Sequence, residues 1–311
     1  MADETRRKQA SAAVVDVRPL SLDEIFGADP EPEFVPPVLR AQRTAPVAPQ
    51  RPARTLPVPS LAGLAPFWVL AGRGNTGKTV MARYLAGELE QRGVGRFVLA
   101  ALDPGNRLLA EFVPTVHQPP GTGERETALF LRDFLPRVMK AKAPVIADVG
   151  AGNTAWEATI RARPTLPRDL EDAGVGLINA YFFGASPDDP AILEQHAGAG
   201  YTPRATLLVL NEHNVGSAAD FDRIRAHPGY KAALARGAVE IILPVLETRV
   251  AQLIEARRYH FFQARDGIAP PENPNPPLQL GAIERVMVRE FIDGVAKELA
   301  PLEAAGWLPW G

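Results

Sequence analysis

Residues 66–82 read Pro-Phe-Trp-Val-Leu-Ala-Gly-Arg-Gly-Asn-Thr-Gly-Lys-Thr-Val-Met-Ala, and the fold turns on how this stretch is taken. The spacing from Gly72 through Gly77, Lys78 and Thr79 fits a phosphate-binding loop. Its flanks agree. Phe67 to Ala71 is an apolar run of strand length, and Val80 to Arg92 has helical periodicity, so strand, glycine loop and helix come in the required order. Gly72, Gly74 and Gly77 permit backbone angles that a Cβ forbids, which lets successive N–H groups converge on phosphate oxygens at the positive end of a helix. Together with Arg73, Asn75, Thr76 and Val80 they form the candidate cradle. Lys78 then reaches the terminal phosphates, and the Thr79 hydroxyl is a candidate Mg²⁺ ligand.

Outward from this loop, the chain alternates strand-like runs with helical stretches, the pattern of a parallel sheet covered on both faces. Strands are expected at 67–71, 96–102, 145–149, 177–183, 206–210 and 239–243, with helices near 77–93, 124–141, 153–163, 189–198, 218–236 and 248–265. A proline-rich stretch, 269–277, leads into a last helix near 281–304 whose stripe, from Ile283 to Leu299, has core spacing. The expected fold class is a three-layer α/β fold with a mostly parallel, doubly wound sheet, occupying 65–311. Residues 1–64 hold ten of the 31 prolines and little periodicity, so they read as a disordered arm. Within that arm, Ser21 to Phe26 begins with a capping-box pattern and is a candidate short helix for docking a protein partner.

Composition narrows the chemistry. A hydrophobic content of 46% supports a real core, and 34 basic against 36 acidic residues leave a net charge of −2, which gives no global reason to expect nucleic acid or anionic membrane. The absence of cysteine excludes disulfides, thiolate metal sites and cysteine nucleophiles. No signal-type stretch and no run of about 18 apolar residues is present, so a soluble, cytoplasmic protein is expected and a membrane partner is not. The histidines, at 117, 196, 213, 227 and 260, lack ligand spacing. Arg249, Arg257, Arg258 and Arg265 cluster late in the chain, but Glu247, Glu255 and Asp266 lie among them, so a solvated face explains them better than non-specific DNA binding.

A magnesium nucleotide site needs carboxylates at strand ends. Asp148 ends an apolar run and opens the turn Val149 to Asn153, while Asp103 ends the strand before it and opens Pro104 to Arg107. With these in place, the stretch Arg73 to Thr79 resembles the deviant phosphate loop of the ParA/MinD ATPases, of the SIMIBI class, whose usual form is Lys-Gly-Gly-x-Gly-Lys-Thr. Asp103 with Gly105, Arg107 and Leu109 is similar to that family's switch I, and Asp148 to Gly152 resembles its switch II. Leu207 to Asn211 looks like the strand whose terminal asparagine reads the adenine, and Ile241 to Pro244 like the late strand and proline bordering the base. The resemblance spans about 65–265.

It implies a P-loop ATPase that binds ATP and Mg²⁺, closes as a homodimer and releases on hydrolysis, in plasmid or conjugative-element partition or in positioning. On that implication Lys78, Arg73 and Asp103 are catalytic, Thr79, Asp103 and Asp148 hold the metal, and Asn211 and Pro244 line the base. Three departures stand out: Arg73 replaces the signature lysine, Asn75 replaces a glycine, and Ala101 replaces the first aspartate of switch I. Hydrolysis is therefore expected to be slow or partner-dependent. Two other classes remain open: an ATP-binding adaptor with little hydrolysis, and a metabolic kinase or ligase of dethiobiotin-synthetase-like fold.

Overall fold

A computed structural model describes residues 57–103, 108–113, 115–215, 218–269 and 280–310. Most of the proposed arm, including Ser21 to Phe26, lies outside the described residues, as do Pro104 to Arg107 and nearly all of the proline-rich stretch.

Six parallel strands form one sheet: β1 (Ala65–Gly72), β2 (Val98–Ala101), β3 (Val145–Asp148), β4 (Val175–Phe183), β5 (Ala205–Asn211) and β6 (Val239–Leu243), in the order β2-β3-β1-β4-β5-β6. The chain winds first to one side of β1 and then to the other, so the sheet is doubly wound and β1 is central. Every residue of β4 is buried, as is the whole of β3, because helices cover both faces. Alternate residues of β1 divide between two cores. Trp68 and Leu70 pack with Ile178, Ala180, Phe182 and Val209, whereas Phe67 and Val69 pack with Val145, Ala147 and Leu177.

The helices are α1 (Lys78–Gln91), α2 (Leu108–Phe112), α3 (Glu124–Ala141), α4 (Thr154–Ala162), α5 (Leu166–Asp172), α6 (Ala191–Gly198), α7 (Ala218–Ala226), α8 (Pro228–Ala235), α9 (Thr248–Arg257), α10 (Phe261–Asp266) and α11 (Ala282–Glu303). Two expected helices are each broken in two. Pro228 forces His227 into an extended conformation (φ −61°, ψ 134°), and the His227 ring accepts the Gly229 N–H, so 218–236 divides into α7 and α8. Arg258 adopts a left-handed conformation (φ 55°), which ends α9 and lets Tyr259 turn into the core before α10 begins. The short helices α2 and α5 have no counterpart in the sequence pattern; each spans under two turns, too short for periodicity to show.

Residues 57–64, which the sequence groups with the arm, pack on the body of the fold. Leu61 is buried and donates its N–H to the Ala305 carbonyl at 2.8 Å. The Trp307 indole donates to the Pro59 carbonyl at 2.6 Å, and the Trp68 indole donates to the Trp307 carbonyl at 2.7 Å, so residues 57–64 and the C-terminal segment are stitched together through the first strand. Trp307 and Leu308 are both buried, which makes the C-terminal aromatic segment a packed tail. Among the described residues no helix is long and apolar enough to cross a membrane.

Candidate functional site

The loop between β1 and α1 has the backbone that its glycines predict. Gly72 has φ 143° and Gly77 φ 96°, and a Cβ on Gly77 would stand 2.7 Å from Leu243 Cδ2 and 2.8 Å from Asn211 Nδ2. A Cβ on Gly72 would collide with the Phe182 carbonyl oxygen. Asn75, standing where a glycine is usual, is left-handed at φ 58°, a conformation asparagine tolerates better than most residues. The loop's front is tied down by side chains: Thr76 Oγ1 donates to the Arg73 carbonyl at 2.9 Å, Asn211 Nδ2 to the Thr76 carbonyl at 3.0 Å, and Asn214 Nδ2 to the Asn75 carbonyl at 2.7 Å.

Lys78 opens α1 almost fully buried, with Nζ donating to the carbonyls of Arg73 (2.6 Å) and Gly72 (3.1 Å). Burial pulls its pKa down, opposed by the negative charges of Asp148 and Asp103. Beside it, the Thr79 hydroxyl donates to Asp148 Oδ2 at 2.6 Å. Asp148 ends β3 in register with Leu70 on one side and Ala101 on the other, so the sheet itself sets the carboxylate next to the loop. Burial raises its pKa to about 6, although the Thr79 hydroxyl and the Lys78 charge hold it down, and Asp103 adds to the rise.

Asp103 lies two residues past β2, packed against Gly150 so closely that a Cβ there would stand 2.7 Å from Asp103 Cα. The loops carrying the two carboxylates are joined by Asn153, whose amide donates to the Leu102 carbonyl while its Oδ1 accepts the Trp156 N–H at 2.9 Å and caps α4. Ala101, in the place of the missing aspartate, is buried beside Asp148 and offers no charge.

These parts line one cavity of about 280 Å³, with Gly74 to Val80 and Asp103 on one side and Asn211, His213, Leu243 and Pro244 on another. Lys78, Thr79, Val80, Asp103, Asn211 and Pro244 thus line one cavity, and Asp148 adjoins it through its bond to the Thr79 hydroxyl. Asn211 also braces the loop. With Nδ2 on Thr76 and Oδ1 accepting the His213 N–H at 2.9 Å, both ends of its carboxamide are engaged within the chain. Arg73, expected from the sequence at this site, is not among the residues that line the cavity; its largely exposed side chain pairs with Asp189 at 3.2 Å. No pattern in the sequence singles out Asp189, Asn214 or Asn153, since each acts on a loop distant along the chain.

The residues fit Mg²⁺. Among the described residues no three acidic or histidine side chains group as a metal site, but a hydroxyl and a carboxylate in contact are the sparse oxygen set that Mg²⁺ takes when phosphates and waters supply the rest. A buried carboxylate with a raised pKa also gains by meeting a cation.

Fold and site together define a three-layer α/β protein with the doubly wound parallel sheet typical of P-loop NTPases. No family model matches the chain, and no curated protein is similar enough to match. Similar solved structures include the cell division protein FtsY of Thermotoga maritima (17% identity, 63% of this chain and 67% of that one, TM-score 0.40). FlhF complexed with GMPPNP/Mg²⁺ (10%, 76% and 79%, 0.35) and FtsY of Mycoplasma mycoides (12%, 78% and 71%, 0.39) are also similar. At such distances function has to be argued from the residues themselves.

Proposed function

We propose that this protein is a nucleotide-dependent switch ATPase of ParA/MinD type, which binds ATP with Mg²⁺ at the β1–α1 loop and closes as a homodimer. The observation that carries this reading is the contact of Thr79 with Asp148 beside buried Lys78, at the wall of a cavity that the glycine loop also lines. Lys78 neutralises charge on the terminal phosphates, Thr79 and Asp148 hold the metal, and Asp103 orients water. When bound, Mg²⁺ would neutralise developing charge on the phosphates. Hydrolysis frees the two carboxylate loops, which move together because Asn153 ties them.

Adenine is the base that the ParA/MinD resemblance implies; the apolar side chains of Leu243, Pro244 and Leu246 offer its ring a packing surface at the far side of the cavity, where the Glu255 carboxylate also stands. In the cell the cycle serves plasmid or conjugative-element partition, or positioning of another cargo. One observation favours the adaptor alternative, in which ATP is bound and scarcely hydrolysed: buried Ala101 leaves Asp103 as the single switch I carboxylate.

The test is titration of the full chain with Mg·ATP and Mg·GTP, with particle size followed by light scattering and turnover measured alongside. Saturable ATP binding with ATP-specific doubling of mass supports the switch. Binding and dimerisation with negligible turnover, even with DNA or a partner added, supports the adaptor; no affinity for either nucleotide removes the assignment.

A further inference from the structure

A second buried cation lines the cavity beyond the phosphate loop. Arg83 lies on α1 five residues after Lys78, about 7.5 Å further along the helix axis, and is 5% exposed. Rings and a carbonyl fix its guanidinium, and no acid pairs with it. Cζ stands 3.5 Å from the centroid of the Phe112 ring and 4.6 Å from that of Phe261, and Nη2 donates to the Tyr259 carbonyl at 3.1 Å. Nε is buried without a partner, and Nη1 makes no hydrogen bond among the described residues. Burial lowers the pKa to about 10, so the group stays charged at neutral pH.

Glu255, on α9, is the carboxylate whose charge opposes that fall. It is exposed at the rim of the same cavity, and among the described residues it forms no ion pair with Arg83. Around the two, Leu246, Ala251, Ile254, Phe261 and Phe291 make the wall apolar. Packing alone is a weak reason for a charge here, since a methionine would fill the space between the rings without the cost of burying a guanidinium. A cation with unused donors is complemented by an acceptor, and an unpaired carboxylate by a donor. One planar group supplies both: a base edge on which an N–H stands beside a ring nitrogen, as in adenine with its 6-amine next to N1.

We propose that Arg83 and Glu255 form the base-reading end of this cavity, with Arg83 donating to a ring nitrogen of adenine and Glu255 accepting from its 6-amine. This rests on the ATP reading above and adds to it the residues that select the base.

The test pairs a deletion in the protein with a deletion in the ligand. Full-length wild type and Glu255→Ala are titrated, with Mg²⁺, against ATP and against purine riboside triphosphate, which lacks only the 6-amine. Wild type is expected to bind ATP about tenfold more tightly than the analogue, and Glu255→Ala to bind the two within about twofold of each other. Arg83→Met is expected to weaken both ligands about tenfold while the preference for ATP persists, because both keep the ring nitrogen. Equal binding of the two ligands by wild type, an undiminished preference in Glu255→Ala, or wild-type affinity in Arg83→Met overturns the proposal, as does tighter binding of GTP than of ATP by wild type. If Arg83→Met melts early, Arg83→Lys replaces it, where a loss of about threefold for both ligands is expected and no loss overturns the assignment. A failure of the ATP reading is distinct: wild type would then bind none of these triphosphates.

Discussion

Among the described residues, a polar cluster around His196 and another around Lys78 are both buried, and they are satisfied to different degrees. Beneath one face of the sheet, His196 has a protein partner on each ring nitrogen: the Tyr181 hydroxyl at 2.7 Å on Nδ1 and the Glu157 carboxylate at 3.0 Å on Nε2. Nearby, the Tyr201 hydroxyl donates to Asn179 Oδ1 at 3.0 Å, leaving the Asn179 Nδ2 as the one donor of this group without a partner among the described residues, and burial raises the pKa of both tyrosines so that they stay neutral. At the carboxyl ends of β1 and β3, by contrast, Lys78 and Asp148 are buried close enough to perturb each other, yet no bond joins them directly. Lys78 rests on two backbone carbonyls and Asp148 on one hydroxyl, with a raised pKa. Polar groups that complete one another's hydrogen bonds lock packing in place. Charged groups buried with part of their capacity unused are arranged for something that arrives.

That contrast can be broken most directly at Lys78. Lys78→Ala is expected to lower affinity for Mg·ATP at least about 100-fold, since charge-assisted bonds to phosphate are lost, while thermal stability holds. Isothermal titration with a parallel melt checks both halves; unchanged affinity would place the ligand elsewhere. The mirror experiment is His196→Ala, which orphans the Tyr181 hydroxyl and opens a cavity in the packed face. It is expected to cost about 2–4 kcal/mol in urea unfolding and to leave nucleotide affinity within about twofold. A large loss of affinity in that variant would mean that the two clusters are coupled.

A smaller effect sharpens the comparison at Asp148. Its pKa in the folded chain is about 6, above the ordinary 3.8, so its contribution to stability is full below pH 3.8 and is lost as pH rises through about 6. Asp148→Asn, which avoids the buried charge and can still accept the Thr79 hydroxyl, is therefore expected to be more stable than the wild type at pH 8. The gain is up to about 3 kcal/mol, measured in chelator without nucleotide, and shrinks toward zero below about pH 4. The same variant loses Mg²⁺ stimulation of nucleotide binding. A stability difference that does not change with pH would show that the carboxylate is not strained by its burial.

Much of this molecule is written in local pattern. The apolar runs place all six strands, the glycine spacing around Lys78 and Thr79 defines the loop, and Asp103 and Asp148 are recognisable as carboxylates at or just past strand ends. Each depends on neighbours within a few residues, where periodicity and turn chemistry act. The helix breaks at His227 and Arg258, the docking of residues 57–64 on Ala305 and Trp307, and the pairing of Arg73 with Asp189 emerge only in the folded chain. There, too, Asn211 and Asn214 are assigned to bracing the loop rather than left as loop polar residues. The physical reason is sequence distance. Arg73 and Asp189 stand 116 positions apart and Asn211 and Thr76 135 apart, so each pair meets only because the winding of a parallel sheet sets the carboxyl ends of β1, β4 and β5 side by side.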